Sequence, residues 1–85
     1  MKWTGTDKEY YFSKITLEPK GDDLIITMSG YRMKKEVEVI NDFRQYTACE
    51  ILQAYDELGR PFEDTLLRMY KDLKLDMGFA RKLCW

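Results

Sequence analysis

The side chains that most often carry enzymatic chemistry are scarce in this sequence. It contains no histidine, the residue most often used as a general base and a metal ligand near neutral pH. Its two cysteines, Cys49 and Cys84, lie 35 positions apart and cannot supply the four ligands of a Cys/His zinc site. The five glycines are scattered singly, so no glycine-rich phosphate loop is present. The sequence therefore predicts no catalytic site, no metal site and no cofactor.

The remaining reactive groups have structural explanations. Asp22-Asp23 lies beside a predicted turn and Glu63-Asp64 opens a predicted helix, and both positions favour carboxylates for local reasons. The thiol of Cys84 has Arg81 and Lys82 nearby, and cations of this kind lower a thiol pKa. No adjacent base accompanies this thiol, so we predict that the protein is not an enzyme.

A basic and aromatic turn is the first candidate binding site. Within Gly30–Lys35, three cations accompany a tyrosine. Arginine can bind an anionic group through two hydrogen bonds, and tyrosine offers a stacking face. The alternative is an ordinary hairpin whose edge lysines discourage aggregation. The candidate residues here are Tyr31, Arg32, Lys34 and Lys35.

Aromatic residues near the ends of the chain form the second candidate site. Three of them are consecutive at positions 10–12, so a strand must point at least one away from the core. The segment 79–85 is markedly apolar, and such a segment docks either on its own core or on another subunit. The candidates here are Tyr10, Phe12, Phe79, Arg81, Lys82 and Trp85.

Length and composition indicate a single globular domain covering residues 1–85. The chain is 45% hydrophobic and 34% charged, as folded proteins are. A net charge of −1 argues against a nucleic-acid binder, which is usually basic. The N-terminus lacks the apolar core of a signal peptide, and no stretch is long enough for a membrane span. With two cysteines and no disulfide framework, we expect a reduced, cytoplasmic protein and a small apolar role for Cys49.

The first half of the chain is predicted to form strands. Alternating and β-branched residues predict strands at Glu9–Glu18, Asp23–Ser29 and Arg32–Ile40. Two tight connections between them favour an antiparallel meander. Residues 1–8 are either a loose arm or an edge strand.

The second half is predicted to form two amphipathic helices. The first runs from Asn41 to Leu58 and ends at Gly59, a residue that can take positive φ. Its start is ambiguous, because Thr47 and Glu50 have the spacing of a capping box. In that alternative, positions 43–46 form a short fourth strand; we favour the earlier start.

The second helix follows Pro61 and presents one apolar face through Met77, and segment 79–85 adds a further turn or two. The predicted fold is a two-layer α+β domain, in which an antiparallel sheet of three strands, or four, carries both helices on one face. The predicted core is Ile15, Leu17, Leu24, Ile26, Val37, Val39, Ile51, Leu58, Leu66 and Leu73.

These observations favour a small non-enzymatic binding protein that occupies the surface of another protein. Inhibitors and adaptors act in this way, including those of phage and mobile elements. One alternative is a binder of a phosphate-bearing ligand, a nucleotide or nucleic acid, through the turn at 30–35. The other is a structural homo-oligomer joined through Trp85 and the strand aromatics. No membrane partner is expected.

Overall fold

The chain forms a four-stranded sheet followed by two helices, which confirms the predicted α+β class. A computed structural model describes residues 1–9, 12–30 and 33–78. Two short 3-10 turns, Phe43–Gln45 and Asp56–Leu58, flank the first helix. In chain order the elements are β1 (Trp3–Thr6), β2 (Lys14–Lys20), β3 (Asp23–Gly30), β4 (Met33–Ile40), α1 (Ala48–Ala54) and α2 (Gly59–Asp72).

The four strands make an antiparallel meander in the order β1-β2-β3-β4. The fourth strand is β1, so the N-terminal segment is the edge strand rather than the loose arm of the sequence prediction. Positions 43–46, the alternative fourth strand, contain a 3-10 turn instead. At the β2–β3 turn, Gly21 has a φ of 65° and open space around it, which suits glycine.

The strand β2 starts five residues later than predicted, at Lys14 instead of Glu9. The backbone N–H of Asp7 donates to the carbonyl of Ser13 across 2.8 Å. This hydrogen bond continues the pairing of β1 with β2 by one position, at the point where the connection between the two strands begins. Phe12 therefore precedes β2, and Tyr10 and Tyr11 lie outside the described residues.

The hydrophobic core lies between the helices and one face of the sheet. Its strand residues alternate along β2 and β3, as the period of two requires. Most of the predicted core is confirmed, although Leu73 is only half-buried. The buried apolar side chains are Trp3, Ile15, Leu17, Leu24, Ile26, Met28, Phe43, Ala48, Ile51, Leu52, Leu58, Phe62, Leu66, Met69 and Tyr70.

Val37 and Val39 are exposed, by 55% and 49%, so their assignment to the core was wrong. The register pairs Val37 with Thr27 and Val39 with Ile25, on the face turned away from the helices. The cause is the position of the helix layer, since α2 packs against β1 and β2. Directly opposed residues share a face of the sheet, so the side of β4 turned towards the helices carries glutamates.

Helix α1 begins at Ala48, so the favoured start near Asn41 was wrong and the capping-box alternative is confirmed. The Thr47 hydroxyl accepts a hydrogen bond from the Glu50 N–H (3.1 Å), and the Glu50 carboxylate accepts one from the Thr47 N–H (2.8 Å). The early start fails because Asp42 has a φ of 54°, which interrupts any right-handed helix.

Removal of this cap is expected to weaken the domain modestly. Thr47→Ala leaves the Glu50 N–H without its acceptor, so we expect a loss of about 1 kcal/mol in the free energy of unfolding. Urea denaturation followed by circular dichroism measures it. Thr47→Ser keeps the hydroxyl and should remain close to the wild type. An equal loss in both variants would show that the methyl group, and not the cap, matters.

Helix α2 begins at Gly59, whose φ is 74°, and its apolar face is buried as predicted. It ends at Asp72, earlier than the predicted extent through Met77. Lys74 adopts a φ of 58°, and the Leu75 N–H donates to the Tyr70 carbonyl across 2.9 Å. This left-handed residue turns the chain back towards α1.

Three contacts fasten β1 to α2. The indole N–H of Trp3 donates to the Asp72 carboxylate (2.8 Å), and the Arg68 guanidinium donates to the backbone carbonyl of Thr4 (2.9 Å). Between them, Gly5 faces Thr65 so closely that α2 leaves no room for a side chain. Helix α2 therefore packs on β1, and Arg68 occupies one backbone carbonyl of this edge strand.

Candidate functional site: the β4 edge of the sheet

The structure describes three of the ten binding residues predicted from the sequence. Lys34 and Lys35 are exposed on β4. Phe12 is half-buried and packs against the core, so its ring is largely committed to folding. The others, which lie outside the described residues, are Tyr10, Tyr31, Arg32, Phe79, Arg81, Lys82 and Trp85.

Cys49 does not behave as the sequence predicted. It is disulfide-bonded, so the expectation of a reduced apolar residue is wrong; Cys84 lies outside the described residues. The expected cytoplasmic location depended on unpaired thiols, so this argument no longer applies.

Among the described helices, none is long and apolar enough to cross a membrane.

Strand β4 is the most open regular element among the described residues. It is eight residues long and pairs with β3 along one edge only. The residues from Lys34 to Val39 are all exposed. By contrast, β1 has four residues and gives one backbone carbonyl to Arg68. The two edges of the sheet therefore differ: among residues 1–9, 12–30 and 33–78, β4 offers the longer row of backbone groups without a strand partner.

The outer face of β4, turned away from the helices, is apolar and β-branched. Val37 and Val39 lie on this face beside Thr27 and the half-buried Ile25. All four side chains are stiff at χ1, so they form a surface that loses little side-chain entropy when it is covered. This outer patch, residues 25, 27, 37 and 39, is not predicted by the sequence analysis, because both valines were assigned to the core.

The inner face of β4, turned towards the helices, is acidic. Glu36 stands opposite Met28 and Glu38 opposite Ile26. Each carboxylate therefore lies beside a buried residue of β3, on the same face of the sheet. Burial, and secondarily the charge of Glu38, raises the pKa of Tyr55. This effect places Glu38 within electrostatic reach of Tyr55, at the end of α1. The strand thus separates an acidic side from an apolar side by simple alternation.

A cleft of about 370 Å³ lies between the first and second helices. The rings of Tyr55 and Phe62 meet there with centroids 5.9 Å apart. Asp56, Arg60 and Glu63 also line the cleft, so it is amphipathic and carries one more acid than base.

A β-bulge between β3 and β4 brings together the lysines of the predicted basic turn. Met28 pairs with Glu36 and Gly30 with Met33, so Lys34 and Lys35 together stand opposite Ser29. Such a β-bulge re-aims side chains. Lys14 pairs with Ser29 from the other side. Three lysines therefore lie along one row at this end of the sheet.

A comparison with models of known protein families gives no match, and searches of curated proteins and of solved structures find no similar protein either.

Proposed function

We propose that this protein is a non-enzymatic binding module that occupies the surface of another protein through β4. The observation that carries this proposal is the eight-residue edge of β4, exposed from Lys34 to Val39 and flanked by the outer patch. Its mode of action is that of a small inhibitor or adaptor, which works by covering a partner rather than by transforming a substrate.

Strand addition explains how such an edge can bind. An extended segment of a partner pairs with the free backbone N–H and C=O groups, and its alternate side chains give specificity. Folded proteins usually protect a long edge, because it invites uncontrolled pairing. Here α2 and Arg68 protect β1, whereas β4 keeps two exposed valines. This difference supports a use for the β4 edge in binding.

A second candidate function is supported by the row of Lys14, Lys34 and Lys35. The three ammonium groups could hold a phosphate-bearing ligand, as proposed for the turn at 30–35. The salt dependence of binding distinguishes the two functions. Contacts to a phosphate backbone weaken steeply with added salt, whereas an interface centred on valines and backbone hydrogen bonds should weaken only slightly.

The binding proposal predicts a specific loss when the outer patch is charged. In the double variant Val37→Lys and Val39→Lys, two stiff apolar contacts become cations that a partner must desolvate. We expect at least about tenfold less partner to be retained, since interface anchors of this kind cost 1–2 kcal/mol or more. Native mass spectrometry of the tagged protein, purified gently from cells that naturally contain it, gives the retained mass.

The matched control adds the same two charges elsewhere on the same face. Thr4 and Thr6 are exposed on β1, so the double variant Thr4→Lys and Thr6→Lys should retain the partner. Equal loss in both double variants would mean that net charge and not β4 is responsible, and the proposal would then be abandoned. A retained mass that is a multiple of the subunit mass would support the homo-oligomer instead.

A further inference from the structure

We propose that the segment added to β4 comes from a different protein and alternates basic with β-branched apolar residues. This inference rests on the proposed function, because it names the chemistry of the partner at that same edge. It follows from the division of β4 into an acidic inner face and an apolar outer face.

The inner face sets the basic positions of the partner. In a sheet, residues directly opposite each other lie on the same face, and opposite charges there are stabilising while like charges are destabilising. Glu36 and Glu38 are exposed on the inner face. A partner strand thus gains most from lysine or arginine at two positions separated by one residue.

The outer face sets the positions between them. Val37 lies opposite Thr27 and Val39 opposite Ile25. All four side chains are on the outer face, on which an added strand would place every second side chain. β-branched and aliphatic residues pack best across strands from side chains of this shape. A segment with valine, isoleucine or threonine between its basic residues therefore matches both faces at once, and no other binary pattern does so.

A second copy of the chain does not match when a symmetric pair is centred on Glu36, Val37 or Glu38, the middle of the exposed stretch. In a symmetric antiparallel pair of β4 strands, the central residue stands opposite its own copy. If the pair is centred on Glu36 or Glu38, the two copies of that glutamate face each other. A centre at Val37 places Glu36 of each copy opposite Glu38 of the other. Each of these registers sets like charges directly across the interface, so the charge pattern favours a different protein.

Synthetic peptides test the pattern with the intact protein. The first alternates lysine with valine over nine residues. The second has the same composition with all lysines before all valines, and the third has glutamate in place of lysine. We expect the first to bind and to slow amide hydrogen exchange along β4, and the others to bind at least about tenfold more weakly. Equal binding of the block peptide would overturn the alternating pattern.

Backbone pairing is tested on the peptide, so that the fold of the protein is not disturbed. Only every second N–H of an added strand faces β4. In the alternating peptide, the N–H groups of one residue type, either lysine or valine, therefore face β4. N-methylation of that residue type should abolish binding, and N-methylation of the other type should have a much smaller effect. Equal effects of both modifications would overturn strand addition.

Exchange of charges tests the role of the two glutamates. The double variant Glu36→Lys and Glu38→Lys should lose about tenfold in affinity for the lysine peptide and gain a similar factor for the glutamate peptide. Both residues are exposed, and β4 already carries lysines, so folding should be preserved. Unchanged peptide preference would overturn the inference. If natural partner retention still required Val37 and Val39, the proposed function would stand while this inference failed.

Discussion

Replacement of Gly5 by valine is expected to cost about 3 kcal/mol in the free energy of unfolding. A Cβ atom at this position would collide with the hydroxyl of Thr65 and lie 2.8 Å from the carbonyl oxygen of Pro61. The second contact is with helix backbone, which cannot rotate away. Overpacking of this kind costs 1–3 kcal/mol and occasionally more, and valine adds two further methyl groups. Urea denaturation measures the effect.

Two further variants show whether the cause is steric. Thr6→Val adds apolar branching to the exposed neighbour in β1 and should change stability little. Combining Gly5→Ala with Thr65→Ala removes the nearest obstacle, so the pair should cost less than the sum of the single variants. Strict additivity would argue that Gly5 is needed for its backbone and not for the close approach of α2.

The second large effect is expected for Tyr70→Phe, at about 2 kcal/mol. The Tyr70 hydroxyl lies 3.2 Å from the carbonyl oxygen of Phe43 and 2.8 Å from that of Tyr46. It is the polar link between α2 and the 3-10 turn after β4, and the residue is fully buried. Phenylalanine removes the donor from both carbonyls; that of Phe43 keeps the Tyr46 N–H, whereas that of Tyr46 loses this partner. An unsatisfied buried group costs about 1–3 kcal/mol. Thermal and urea denaturation at pH 7 measure the loss.

The same hydroxyl predicts a dependence on alkaline pH. Burial and, secondarily, the charge of Glu50 raise the pKa of Tyr70 from 10.0 to about 12, although the charge of Arg44 acts in the opposite direction. The folded state therefore keeps this proton after the unfolded state has released it. The stabilisation is complete below pH 10 and is lost as the pH rises towards 12, by on the order of 2–3 kcal/mol.

Comparison with the phenylalanine variant isolates this contribution, because lysines and other tyrosines titrate in both proteins. The difference in unfolding free energy between wild type and Tyr70→Phe should narrow between pH 10 and 12. A difference that stays constant across this range would show that the hydroxyl is not held neutral by its surroundings.

Local patterns in the sequence predicted most of the fold. The alternation in β2, the apolar run in β3 and the repeat of Leu66 and Met69 in α2 each identify an element, because each repeats over several residues. Trp3 and Gly5 could not be found in this way. Each is a single residue without a periodic pattern, and its importance arises only when α2 meets β1.

The candidate site was predictable in part. The alternation of glutamate and valine in β4 was recognised, and edge lysines were considered, but the valines were assigned to the core. Which face of a strand is buried depends on where the helices lie, and this information is absent from the strand itself. Glu36 and Glu38 consequently received no role, although their spacing was visible.

The position of α1 has a consequence for the order in which the domain is completed. Its first backbone N–H groups, those of Ala48 and Cys49, donate to the carbonyl oxygens of Asp76 and Met77. A helix of seven residues has little stability alone. Asp76 and Met77 follow α1 in the sequence only after the whole of α2. The sheet can therefore form from strands that are neighbours in the sequence, whereas α1 is completed only by residues that follow α2.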